Sequence, residues 1–107
     1  MFEPQNDVFR ALADPTRRGL FERLALGGSL SVRGLTDGTA VSQPAVSQHL
    51  KVLREAGLVA EQKVGRNVLY RAEPDGLKPL FNWMGFYGRC WGERFDDLED
   101  LLNRMDQ

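Results

Sequence analysis

At 107 residues, 42% hydrophobic and 27% charged, the chain is long enough for one folded domain with a modest core and too short for two independent ones. That composition excludes general disorder, and no apolar run approaches the roughly 20 residues of a bilayer-crossing helix. The formal charge of −1 hides an asymmetry: residues 1–72 carry ten Lys+Arg against seven Asp+Glu, and residues 73–107 carry four against eight, which is compatible with a front that meets a polyanion and a back that does not.

The opening MFEPQNDVFR has neither the basic head nor the apolar centre of a secretory signal, so a cytoplasmic protein is expected. A reducing compartment suits the single cysteine, Cys90, which has no second cysteine in the chain to pair with.

Val8, Phe9, Leu12 and Ala13 fall at helical spacing. They precede DPTRR, where Asp14 can cap a second helix and Pro15 can occupy its first position. That helix, about 15–26, sets Leu20, Phe21 and Leu24 on one side and ends at Gly27-Gly28. Residues 31–37, SVRGLTD, suggest a short helix with Val32 and Leu35 inward, weakened at Gly34 by about 1 kcal/mol relative to Ala. Ser42 is a good cap for the next helix, about 42–56, with Pro44 in its first turn, Val46, Leu50 and Leu53 on its inner face and Gly57 ending it.

VAEQKV and NVLYRA, separated by Gly65-Arg66, predict an antiparallel hairpin over about 59–72 with Lys63, Arg66 and Arg71 on or near its tip. A long helix is then expected over about 77–105, its seam formed by Leu77, Phe81, Met84, Gly88, Trp91, Phe95, Leu98, Leu102 and Met105, alternately four and three apart. The order is helix, helix, short helix, helix, hairpin, long helix: a mostly α single domain over 1–107 with a small β-hairpin, in the order of a winged helix-turn-helix.

In such a fold the second helix of the motif lies in the major groove, and crowding at its amino end favours small side chains. Gln43 and Gln48 can hydrogen-bond to bases, and Ser42 and Ser47 can donate to bases or phosphates. Pro44 and Ala45 permit close approach or touch a thymine methyl, and Lys51 can reach a phosphate one turn on. The bland alternative is a well-capped helix start with a solvated polar face.

VFRALADPTRRGLFERL, SQPAVSQHLKVLREAGLV and VGRNVLYRAEP, in this order, resemble the bacterial ArsR/SmtB family of winged-helix transcriptional repressors over about residues 6–75. The resemblance implies a homodimer on a palindromic operator of double-stranded DNA near its own promoter, released by a signal. By position it puts the reading helix on residues 42–56 and the base-facing side chains on Gln43, Pro44, Ser47 and Gln48. The hairpin becomes the wing, with Arg66 the candidate for the minor groove or backbone; otherwise the tip cations are solvated strand-edge charges.

His49 also fits the family pattern, and either bonds a phosphate or braces its helix. A metal role lacks ligands, because there is no other His. Metal-sensing relatives carry paired cysteines before the reading helix or His and acidic clusters in the last one. SVRGLTDG has no Cys and the last helix no His, so neither site can be assembled and no metal or other cofactor is expected. Asp96, Asp97, Glu99 and Asp100 are read as a solvated acidic face rather than a cation site. The inducing signal, a small molecule or a protein, is not named by the sequence.

Cys90 beside Trp91 is expected to be buried as a small hydrophobe; pairing with its copy or sensing oxidation is the alternative. The stripe holding Phe81, Trp91 and Phe95 is too apolar for one small domain to cover, while Leu77, Leu80 and Phe81 fold back onto it. Burying about 600 Å² would be worth roughly 15 kcal/mol at about 25 cal/mol per Å², before association costs. A second copy is the expected partner, through Phe9, Met84, Trp91, Phe95, Leu98 and Leu102. Trp83, Phe86, Tyr87 and Trp91 could alternatively line a small-molecule pocket at the junction.

One His, one Cys and no Gly-rich phosphate loop argue against an enzyme. The rival function is a winged helix that binds protein through the Ser/Gln face and never touches DNA.

Overall fold

Asp14 separates the first two helices because its carboxylate can satisfy an orphan amide at the start of the second. In the computed structural model, α1 (Pro4–Ala13) gives way to α2 (Pro15–Gly27) at this residue. The structure describes residues 4–91 and 93–105, with side chains for all of these except 89, 91 and 93–95. Asp14 Oδ2 accepts the Arg17 N–H at 2.9 Å, and Pro15 opens the helix. Arg17 then reaches back, donating from Nε to the Ala11 carbonyl at 2.7 Å and from Nη2 to that of Arg10 at 3.0 Å. Arg18 Nη1 donates to the Leu12 carbonyl at 2.8 Å, so the unpaired carbonyls at the end of α1 are met by the first turn of α2.

Gly28 closes α2 at φ 84°. The chain then forms a two-residue strand, β1 (Leu30–Ser31), and a five-residue helix, α3 (Val32–Thr36), capped by Ser31 Oγ, which accepts the Gly34 N–H at 3.0 Å. Arg23 of α2 donates to the Leu35 carbonyl at 2.6 Å and steadies the far end of α3. The short helix is thus present within the expected 31–37, with Leu35 fully buried and Val32 half-buried.

α4 (Gln43–Glu55) begins at Ser42 as read from the sequence. It ends in a Schellman arrangement: Leu58 N–H bonds the Leu53 carbonyl at 2.9 Å and Gly57 N–H that of Arg54 at 3.0 Å, with Gly57 at φ 80°. Leu53 and Leu58, the hydrophobic pair of that motif, are both fully buried. β2 (Val59–Val64) and β3 (Asn67–Ala72) pair antiparallel in register from Val59↔Ala72 to Val64↔Asn67. Gly65 at φ 63° supplies the turn that a two-residue loop demands. β1 adds to the other edge of β3 through Leu30↔Tyr70 and Ser31↔Leu69, giving the order β1-β3-β2.

Leu20, Leu24, Leu35, Val46, Leu50 and Leu53 are at most 2% exposed and form the centre of the core. The inner face of α1 consists of Val8 and Ala11 with Leu12 at the margin, whereas Phe9 is 42% exposed and Ala13 faces solvent.

A C-terminal helical region is present, but the single helix expected over 77–105 is divided. After a 3-10 turn (Pro74–Leu77) come α5 (Lys78–Gly85), α6 (Gly88–Trp91) and α7 (Glu93–Met105). Gly85 and Gly88 bracket the first break, where Phe86 N–H bonds the Trp83 carbonyl at 3.2 Å and Tyr87 N–H that of Met84 at 3.0 Å. These tighter bonds end the α-helical ladder, and glycine's low helix propensity favours the break. Leu77 and Leu80 pack back on the core as expected, whereas Phe81, grouped with them from the sequence, lines a cleft beside α7. α7 packs chiefly on α6, and its Leu98 and Leu102 face α5 across a cleft. The radius of gyration, 15.6 Å, exceeds the roughly 13 Å of a compact chain of this length.

Candidate nucleic-acid interface

Val46, Leu50 and Leu53, all 0% exposed, hold α4 down on α2 and α3. With that side fixed by close packing, the opposite side is presented without freedom to roll. Ser42, Gln43, Pro44, Ser47, Gln48 and Lys51 are exposed, and Ala45 is half-buried. The sequence-predicted row therefore forms one solvent-facing strip along the first two turns. Ser42 Oγ is partly engaged, accepting the Ala45 N–H at 3.4 Å.

His49 is half-buried, and its Nδ1 is shut from solvent with no hydrogen-bond partner among the described residues. Its ring lies close enough to Asp14 that its charge helps to hold that carboxyl below the usual value of 3.8, after the larger effect of the Arg17 hydrogen bond. His49 thus lies between α4 and the start of α2 without a hydrogen bond from Nδ1 to either among the described residues.

The structure sorts the basic residues of the front. Arg17, Arg18 and Arg23 are engaged with backbone carbonyls. Arg71 pairs with Glu73 at 3.0 Å and lies opposite Ala60 near the base of the hairpin, away from the tip where the sequence had placed it. Arg54 pairs with Glu61 at 3.1 Å. Lys51, Lys63 and Arg66 make no ion pair among the described residues, and Lys63 and Arg66 flank Gly65 at the hairpin tip. Sequence reasoning missed the Arg54–Glu61 link because its partners lie on different elements at no regular spacing.

The other surface of note is apolar. Phe9 meets Trp83 edge-on with ring centroids 5.1 Å apart, and Trp83 meets Tyr87 at 5.0 Å. Phe86 is 80% exposed. Beside them a cleft of about 530 Å³ opens between α5 and α7, lined by Leu80, Phe81, Met84, Leu98 and Leu102 among others. Met84 and Leu98 are half-buried and Leu102 is 38% exposed. The side chains of Trp91 and Phe95 lie outside the described residues. Cys90, expected to be buried, is exposed, because α6 packs chiefly on α7 and not on the core. Among the described residues no group of three or more His, Cys, Asp or Glu side chains is placed to hold a metal ion, and no helix is long and apolar enough to cross a membrane.

Comparison with known proteins agrees with this geometry. The model of the bacterial regulatory protein arsR family matches residues 14–61, which span α2 to the start of the hairpin. The chain is 50% identical over 73 residues to the HTH-type transcriptional regulator Rv2034 of Mycobacterium tuberculosis, covering 68% of this chain and 67% of that one. It is 32% identical over 79 residues to the transcriptional repressor SdpR of Bacillus subtilis, covering 74% and 87%. Among solved structures, an ArsR-like transcriptional regulator from Rhodococcus sp. RHA1 superposes with a TM-score of 0.73 at 31% identity, covering 92% of each chain.

Proposed function

Because the chain belongs to the arsR family of bacterial regulatory proteins, a family of DNA-binding transcriptional regulators and not enzymes, we propose that it acts as a homodimeric repressor of its own or a neighbouring operon. Its palindromic operator is read by α4. The observation that carries this reading is the exposed strip Ser42, Gln43, Pro44, Ser47 and Gln48 above a fully buried Val46, Leu50 and Leu53. Small and amide side chains on a rigid helix suit a groove whose base edges offer paired donors and acceptors. Ser42, Gln43, Pro44, Ala45, Ser47 and Gln48 form the reading set, Lys51 and the outer edge of His49 meet phosphates, and Arg66 follows the backbone or minor groove from the wing.

The second copy is supported by the exposed apolar side chains Phe9, Phe86, Leu101 and Leu102 beside the half-buried Met84 and Leu98. Two copies about a twofold axis set two reading helices one DNA turn apart. The signal that releases the repressor is not a metal held by the familiar ligand sets, since SVRGLTDG lacks the cysteines and the last helices lack histidine.

The test is fluorescence anisotropy with the full chain and duplex fragments from upstream of its own gene, against scrambled duplexes. A palindromic fragment is expected to bind at least about a thousandfold more tightly than scrambled DNA. Equal binding to every fragment at low salt, with the dimer intact, would transfer the strip to a protein partner.

A further inference from the structure

The hairpin over residues 59–72 contains a single acid, Glu61, among the cations Lys63, Arg66 and Arg71. On a surface meant for a polyanion such a charge is unfavourable unless it has another task. Its Oε2 lies 3.1 Å from Arg54 Nη1, in the last turn of α4, and accepts the Tyr70 hydroxyl at 3.2 Å. Tyr70 stands directly across from Glu61 on β3, the central strand, and is itself paired through Leu30 to β1. Desolvation, followed by the Glu61 hydrogen bond, raises the phenol above its usual value of 10.0, so it remains a donor at neutral pH. One carboxylate thus joins the end of α4 to both strands of the hairpin.

We propose that Glu61 is a positioning residue that fixes the angle between the wing and the reading helix; its consequence for DNA rests on the function proposed above. β2 is an edge strand, and among the described residues no strand pairs with its outer side. Arg66 stands in the turn, three strand residues and the turn's first residue beyond Glu61, roughly 12 Å at about 3.3 Å per strand residue, so a swing of about 10° displaces the tip by roughly 2 Å. A hydrogen bond to phosphate tolerates a few tenths of an ångström. The tether therefore decides whether Arg66 and the α4 strip can engage one duplex together.

The decisive variant is Glu61→Gln in the full chain. Two measurements are made: residual dipolar couplings of the amides of 59–72 relative to those of α4 without DNA, and affinity for the upstream duplex. If Glu61 acts only as a charge, its removal lessens repulsion and tightens DNA binding. As a tether, its removal changes or averages the wing couplings and weakens binding, by about three- to tenfold if one charge-assisted contact is lost. The exchanged pair Arg54→Glu with Glu61→Arg is expected to recover the parent couplings and come within about twofold of parent affinity. Wing couplings in Glu61→Gln identical to the parent's would overturn the proposal, as would tighter DNA binding. Altered couplings in a protein that ignores all DNA would instead refute the operator reading and leave the tether standing.

Discussion

The carboxylate of Asp14 and the backbone N–H of Arg17 meet at 2.9 Å where α1 turns into α2. That bond is the main reason the Asp14 carboxyl sits below 3.8; desolvation opposes it and the nearby His49 charge assists. A depressed folded-state value means the stabilisation is present above the unfolded value and is lost as pH falls through the folded one. Asp14→Asn, which can still cap but does not titrate, should therefore show a shallower decline of Tm than the parent as pH falls below about 4. Thermal melts followed by circular dichroism across that range check it, and parallel curves would refute the cap as a source of acid sensitivity.

Gln43→Ala and Gln48→Ala should each reduce discrimination between the operator and single-base variants by about 1–3 kcal/mol while leaving binding to unrelated DNA unchanged. Lys51→Ala should weaken all duplexes alike. Anisotropy titrations over a panel of substituted duplexes separate the two behaviours.

Arg66→Ala should leave Tm unchanged, because the side chain is exposed at the hairpin tip, and should lower the slope of log affinity against log salt by about one. An unaltered slope would return Arg66 to the role of a solvated edge charge.

Leu102→Asp puts a charge into the apolar face of α7, where Leu102 is 38% exposed and Leu101 47%. Little change in the secondary structure of each chain is expected, together with a shift from dimer to monomer in sedimentation velocity at micromolar concentration. Persistence of the dimer would place the interface elsewhere.

Gly76→Ala adds a Cβ that would overlap the Gly57 carbonyl, a backbone group with no rotamer to yield. A loss of about 1–3 kcal/mol is expected in urea unfolding, the usual range for an overpacked contact.

Much of this architecture was legible because local rules and tertiary needs agreed. Ser42, Pro44 and the spacing of Val46, Leu50 and Leu53 specify α4, and Gly65 specifies the hairpin. β1 was not legible: two residues, Leu30 and Ser31, carry no periodicity and become a strand only because β3 has a free edge beside them. The division of the last helix was missed because its apolar spacing continues across Gly85 and Gly88, so hydrophobic rhythm masked backbone propensity. Charge counting also could not tell which cations are free to move, since Arg17, Arg18 and Arg23 are tied to carbonyls by contacts that no one-dimensional pattern encodes.

Just past the wing, Glu73 N–H bonds the Leu58 carbonyl at 2.8 Å and Gly76 lies against Gly57, so the strand leaving the hairpin crosses main chain to main chain under the exit of α4. A joint without side chains has no slack. Any displacement of residues 73–76 is therefore felt first at Gly57 and Leu58, where α4 ends.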